Sequence, residues 1–265
     1  MPTFHFFTLL TRLDQYDRMR ESICAAGFDE ENSAFTTLDN RAGNAHDPYR
    51  AIGEAVQTAQ APYVVFCHQD LLFDQGHGYD DLVRVLAELE RRDPSWAVVG
   101  NAGLNSRFEH IRALTDHAGE HLSGEKPGRV LSLDENFLVI KRASGLACSE
   151  GLSGFHIYAT DLCLNAYRAG HSAYVVDFRV THLGTSLDDA ELTRLATDFE
   201  RFWAPALGGA CIQSPAFIYL FVRNRRLDRL LRTGGRPRGY RHRPELLRLY
   251  DRILLPWRAS WLPRV

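Results

Sequence analysis

Nothing in this 265-residue chain approaches eighteen consecutive apolar residues, which argues against a transmembrane helix. Its first ten residues, Met1 to Leu10, lack a basic leader and a small-residue cleavage site, so they read as a first strand rather than a secretory signal. The five cysteines (Cys24, Cys67, Cys148, Cys163 and Cys211) are scattered and odd in number. Three of them sit in apolar runs, so buried free thiols in a reducing cytoplasm are a better reading than a disulfide framework. No internal repeat is visible. There is no HExxH, and no glycine-rich basic loop follows the first strand, where the chain reads Thr8-Leu-Leu-Thr-Arg12. The second absence counts against a nucleotidyltransferase.

What is present is an ordinary globular composition, 45% hydrophobic and 24% charged, enough for one large α/β domain or one domain with an appendage. The net charge of −2 is unevenly spread. From Arg223 to Val265 there are 13 Arg against Asp228, Glu245 and Asp251, while the rest of the chain holds 18 basic and 30 acidic residues. We therefore divide the chain into a body over residues 1–205 and a basic, helical C-terminal extension over 206–265.

Hydrophobic periodicity predicts strands over Phe4–Thr11, Ser33–Leu38, Tyr63–Cys67 and Trp96–Val99, with helices from Asp14, Asp47 and Tyr79 between them. Asp47-Pro48 is an N-cap followed by proline at the first helical position. This βαβαβαβ order predicts a mostly parallel sheet flanked by helices. Asn101 to Glu135, rich in polar residues, glycine and histidine, predicts an irregular or hairpin-like excursion. Asn136–Arg142 and Ala173–Phe178 resume as strands, and a helix runs from about Asp188 to Trp203.

The continuous apolar run Tyr63 to Cys67 is typical of a strand buried on both faces. It ends in His68-Gln69-Asp70, where open α/β sheets bind ligands. An imidazole and a carboxylate two residues apart can meet a divalent cation carrying a phosphate. Three further polar clusters accompany it. Asp39-Asn40 ends the second strand. His182, with Thr185 and Ser186, ends a later one. His156 and Asp161 begin a helix, where Asp161 could equally be a cap and His156 a packing residue.

These pieces resemble the GT-A glycosyltransferases of family 2, particularly a small subfamily associated with streptomycin biosynthesis. The resemblance rests on Asp39-Asn40, Tyr63 to Asp70, Leu133-Asp134-Glu-Asn-Phe-Leu-Val-Ile-Lys141, Gly154-Phe-His-Ile-Tyr-Ala-Thr-Asp-Leu-Cys163 and Val176 to His182. It implies an α/β, GT-A-like fold, a nucleotide-diphosphate sugar donor, Mn²⁺ or Mg²⁺, and inverting transfer to an acceptor hydroxyl of a glycan, a lipid-linked or a small molecule. The family's strand-end Asp-x-Asp holds the metal, and here His68 replaces its first Asp. The resemblance then assigns Asp70 and His182 to the metal and leaves His68 as a ligand or a phosphate contact. It gives Asp39 and Asn40, with Thr8 and Arg12, to the nucleoside. An imidazole in the set tilts the choice toward Mn²⁺. The position nearest the base of many relatives is Ala159, which leaves Asp161 and His156 as titratable candidates. A non-catalytic sugar-nucleotide-binding or scaffold protein is the alternative.

His117 and His121 could share a helical face as a zinc pair, with His110 nearby, or the segment could be a solvated loop over the acceptor site. In the extension, Ala216–Arg232 and Pro244–Leu255 predict two helices. The first carries a basic face (Arg223, Arg225, Arg226 and Arg229), and Trp257 and Trp261 lie near the end. Docking at an anionic inner membrane face, packing on the body and a homo-oligomer contact all suit this composition. Nucleic acid does not, because no recognised motif accompanies the charge.

Overall fold

A computed structural model describes residues 1–184, 189–215, 218–221, 244–254, 256 and 258–263. Thr185, Ser186, the four arginines of the basic face and Trp257 lie outside the described residues.

Strands β1 (Phe4–Leu10), β2 (Ser33–Asp39) and β3 (Tyr63–His68) are linked by helices α1 (Leu13–Ala25) and α2 (Pro48–Thr58), and pair parallel in the order β2-β1-β3. Alternation along β1 sets the layers. Phe4 and Phe6 pack with Met19 and Ile23 of α1 on one face, and Phe7 packs with Ile52, Ala55 and Val56 of α2 on the other. Each such buried side chain contributes about 1.5–3 kcal/mol. The Asp47 cap forms as expected: its carboxylate accepts the Tyr49 N–H at 2.9 Å, and Pro48 begins the helix. The other carboxylate oxygen accepts the Gly154 N–H at 2.6 Å and ties this helix end to a distant loop.

After β4 (Leu71–Leu72), helix α3 (Tyr79–Arg92) adds Leu82, Leu86 and Leu89 to the first layer and leads into β5 (Trp96–Gly100). The chain then leaves the central sheet. β6 (Ala102–Leu104) and the hairpin β7 (His110–Asp116) and β8 (Gly119–Ser123) form a second sheet, followed by the short β9 (Gly128–Arg129) and β10 (Ser132–Leu133). The expected excursion is thus hairpin-like. It is no helix, so it forms no helical histidine pair: His121 binds Asp116 at 2.9 Å and His110 meets Arg112 at 2.8 Å.

β11 (Phe137–Lys141) returns to the central sheet between β3 and β5 and runs antiparallel to both. The sheet order is β2-β1-β3-β11-β5-β12-β9, with β12 (Ser172–Val175) parallel to β5. The fold is therefore α/β with helices on a central sheet, as expected, but the sheet is mixed. Helix α4 (Tyr158–Arg168) precedes β12, and β13 (Val180–His182) joins the second sheet between β7 and β4.

Helix α5 (Asp189–Leu207) is followed by the hairpin β14 (Ala210–Gln213) and β15 (Ile218–Phe221). The first predicted helix of the extension, Ala216–Arg232, is corrected over residues 218–221, which are a strand, and the rest of it lies outside the described residues. Tyr219 and Phe221 are both buried, with the Tyr219 ring packed at a tilt 4.7 Å from Phe199 of α5, a period-two burial that a helix would not give. Helix α6 (Pro244–Leu254) matches the second prediction. Trp261 packs 6.0 Å from Trp203, and Leu262 joins the core around α4 and α5. Four cysteines are buried, Cys24 is exposed, and all five are free. No helix among the described residues is long and apolar enough to cross a membrane.

Candidate active site

A cavity of about 420 Å³ opens where six chain segments meet, two of them supplying Leu192 of α5 and Ser214 and Pro215 after β14. The end of β3 contributes His68 and Asp70, the end of β13 contributes His182 and Gly184, the β10–β11 connection contributes Asp134 and Glu135, and the start of α4 contributes His156, Ile157 and Thr160. The antiparallel course of β11 explains the contribution of Asp134 and Glu135. Phe137 lies opposite Cys67, and the His68 N–H donates to the Asn136 carbonyl at 2.9 Å. The residues that begin β11 therefore sit at the rim where β3 ends.

The ligand atoms of His68, Asp70 and His182 lie within 4.8 Å of one another. His182 Nε2 stands 3.5 Å and His68 Nδ1 3.9 Å from the same oxygen of Asp70, and the two rings are 5.6 Å apart. Burial lowers the His68 pKa and keeps its ring neutral at physiological pH. Burial would also lower His182, but the Asp70 hydrogen bond and charge overcome it and raise the net value. Burial would raise Asp70, and the two imidazoles bring it down instead. Two imidazoles and one carboxylate are a suitable donor set for a first-row divalent ion such as Mn²⁺. The backbone makes room as well. A Cβ on Gly184 would lie 2.7 Å from Asp70 Oδ2 and 2.8 Å from His182 Nε2, so only glycine leaves this cradle open.

Across the cavity, His156 Nδ1 approaches Glu135 Oε2 at 3.5 Å. Burial raises the Glu135 pKa, although His156 pulls against it. Asp134 accepts hydrogen bonds from the Asn136 backbone N–H at 3.0 Å and its side-chain amide at 2.6 Å.

The other predicted site residues lie elsewhere. Asp161 is fully buried behind the cavity. One of its oxygens accepts the Ser149 hydroxyl and the Trp203 indole N–H at 2.8 Å each, and the other accepts the Ser149 backbone N–H at 2.7 Å and the Asn165 amide at 3.1 Å. Burial pushes its carboxyl up to about 6. Asp39 and Arg12 are exposed and pair with Arg41 and Asp14, each at 2.7 Å. Asn40 exchanges two hydrogen bonds with the His46 backbone, and Thr8 is buried against Cys67. These four flank the sheet edge where Leu10 and Asp39 pair in register, outside the cavity lining.

Sequence reasoning missed Glu135, Tyr158 and Gly184 as site residues. An acidic doublet, Asp134-Glu135, just before a strand was the available signal. Its value depended on the strand's direction, which no local pattern carries.

No protein-family model matches the chain. It is 35% identical over 215 residues to the protein named ATP synthase subunits region ORF 6 of Fuscovulum blasticum, spanning 76% of this chain and 85% of that one. The chain belongs to the family of that protein. For the ORF 6 family fold, residues 1–349 of S. aureus TarS in complex with UDP-GlcNAc are similar at a TM-score of 0.52 and 10% identity, over 77% of this chain. The match spans 66% of that fragment, just under two thirds of its length. This likeness is one of fold, and it meets the GT-A-like expectation. The mannosyltransferase PcManGT from Pyrobaculum calidifontis in complex with GDP-Man and Mn²⁺ is similar at a TM-score of 0.49 and 11% identity, over 96% of this chain and 72% of that one.

Proposed function

We propose that this protein is a metal-dependent, inverting glycosyltransferase that moves a sugar from a nucleotide-diphosphate donor to an acceptor hydroxyl. The observation that carries the reading is the convergence of His68, Asp70 and His182 on one point, with Glu135 and His156 facing it across a cavity of about 420 Å³. The shared fold with TarS, which was solved with UDP-GlcNAc, supports the donor class. The order of motifs from Asp39 to His182 supports placement near the streptomycin-associated subfamily.

On this reading Asp70, His182 and His68 hold the cation. Bound there, a divalent ion offsets the negative charge that develops on the departing diphosphate. The nucleoside occupies the β1–β2 edge beside Thr8, Arg12, Asp39 and Asn40. Gln69 anchors that edge by accepting the N–H groups of Thr11 and Arg12 at 2.8 and 2.9 Å. The acceptor hydroxyl gives its proton to the Glu135–His156 pair. Glu135, with its raised pKa, is the better-tuned base, and His156 orients it. A base opposite the leaving group yields a single displacement and inversion. Asp161 acts behind the site, joining the loop at Ser149 to α4 and α5.

Release of nucleotide diphosphate from a panel of UDP- and GDP-sugars, measured with Mn²⁺ and with EDTA, tests the reading. We expect metal-dependent release from one donor class and its loss in Asp70→Ala. Binding of donors without turnover in any metal condition would overturn the transferase assignment in favour of a non-catalytic homologue.

A further inference from the structure

Tyr158 touches both halves of the site. It is 1% exposed, and its ring makes edge contacts with Phe66 and Tyr49 at 6.1 and 6.2 Å. Its hydroxyl stands 3.0 Å from His68 Nε2 and donates to the Glu135 carbonyl at 3.2 Å. We infer that Tyr158 is a positioning residue that locks His68 in the Nε2–H tautomer and so aims the bare Nδ1 at the cation site. This rests on the metal-site reading above.

Proton counting fixes the tautomer. A phenol has one proton to give, and a backbone carbonyl can only accept. With that proton directed to Glu135, the phenol oxygen offers His68 a lone pair, so Nε2 must carry the hydrogen. In a neutral imidazole the other nitrogen is then bare. Nδ1 faces Asp70 Oδ1 at 3.9 Å. The opposite tautomer would gain nothing there, because 3.9 Å is too long for a hydrogen bond. It would also turn the Tyr158 proton away from Glu135. Metal-bound histidines commonly have the second nitrogen held in this way, usually by a carboxylate, a carbonyl or water.

The backbone is bent to make this contact. Ile157, between His156 and Tyr158, has φ of +72°. A β-branched residue in that region is a genuine outlier, of the kind that collects at functional sites. The Tyr49 hydroxyl braces the bend by donating to the His156 carbonyl at 3.0 Å. On either side of Ile157, His156 reaches the Glu135 side chain and Tyr158 reaches the Glu135 backbone and His68. The cation ligand and the base are thus parts of one hydrogen-bonded chain.

Two measurements test the inference. Side-chain ¹⁵N shifts of His68 in the EDTA-treated protein at pH 8 should report a single Nε2–H tautomer. An Nδ1–H ring in the wild-type protein would overturn the proposal without any variant. Titration with Mn²⁺ alone, followed by the electron paramagnetic resonance signal of the free ion, should show Tyr158→Phe binding about 10–100-fold more weakly than wild type. The same substitution added to His68→Ala should cost nothing more, because the hydroxyl acts through that ring. Wild-type affinity in Tyr158→Phe, or an undiminished effect in the His68→Ala background, would refute the inference. Failure of the wild-type protein to bind Mn²⁺ would instead remove the metal site, with the tautomer measurement still separating the two claims.

Discussion

Replacing Gly184 by alanine would set a methyl carbon 2.7 Å from Asp70 Oδ2, 2.8 Å from His182 Nε2 and 3.1 Å from His182 Cε1. Comfortable contact begins near 3.5 Å, so two of the three proposed ligands must each retreat by roughly 0.7 Å. Metal-ligand distances tolerate only about 0.2 Å. We therefore expect Mn²⁺ affinity to fall on the order of 100-fold or more. The displaced atoms are side-chain ends beside an open cavity, so melting in EDTA should stay close to wild type. At a Mn²⁺ concentration a hundred times the wild-type Kd, binding stabilises the native state by about 2.7 kcal/mol, and a hundredfold weaker site retains about 0.4 kcal/mol. For a chain of this size these correspond to Tm rises of roughly 5–11 °C and about 1 °C. Paired thermal melts with and without Mn²⁺ read the difference directly. A Gly184→Ala protein that keeps the full Mn²⁺-induced shift would refute the cradle and, with it, the assignment of Asp70 and His182 as joint ligands.

Asp161→Ala should act on stability rather than on metal binding. It leaves the Ser149 backbone N–H, the Trp203 indole and the Asn165 amide without their acceptor, a loss of about 3 kcal/mol at pH 5 and Tm lower by roughly 6–12 °C. A carboxyl raised to about 6 holds its proton longer when folded than when unfolded. Its contribution is therefore complete below about pH 4 and declines as pH rises through 6, so the penalty in urea denaturation should shrink toward pH 8. A variant that melts like wild type but has lost turnover would move Asp161 into the chemistry. Glu135→Gln should retain Mn²⁺ and donor binding while transfer falls about 10²–10⁴-fold. The wild-type acid limb of kcat/KM should lie above the ordinary glutamate range, because burial raises that carboxyl and the base must be ionised. Unchanged transfer in Glu135→Gln would leave His156 as the base alone.

The amino-acid sequence by itself determined most elements of the body, those whose signal is local. The alternation of Phe4, Phe6 and Phe7, the Asp47-Pro48 cap, the helix Tyr79–Arg92 and the apolar run ending in His68 and Asp70 follow from periodicity and capping chemistry. The grouping of His68, Asp70 and His182 was also within reach, because strand ends in an α/β sheet share one crevice. Tertiary structure decided the rest. A strand's burial pattern reads the same in either direction, so only the sheet could show that β11 runs antiparallel and carries Glu135 to the rim where β3 ends. Asp161 stands at the start of α4 as expected, but the packing of α5 supplies Trp203 and closes it off from the cavity. Tyr158 enters the site only through His68, ninety residues earlier, whose ring meets its hydroxyl. In each case the deciding partner is remote in the chain, and contacts of that range leave no periodic trace in the sequence.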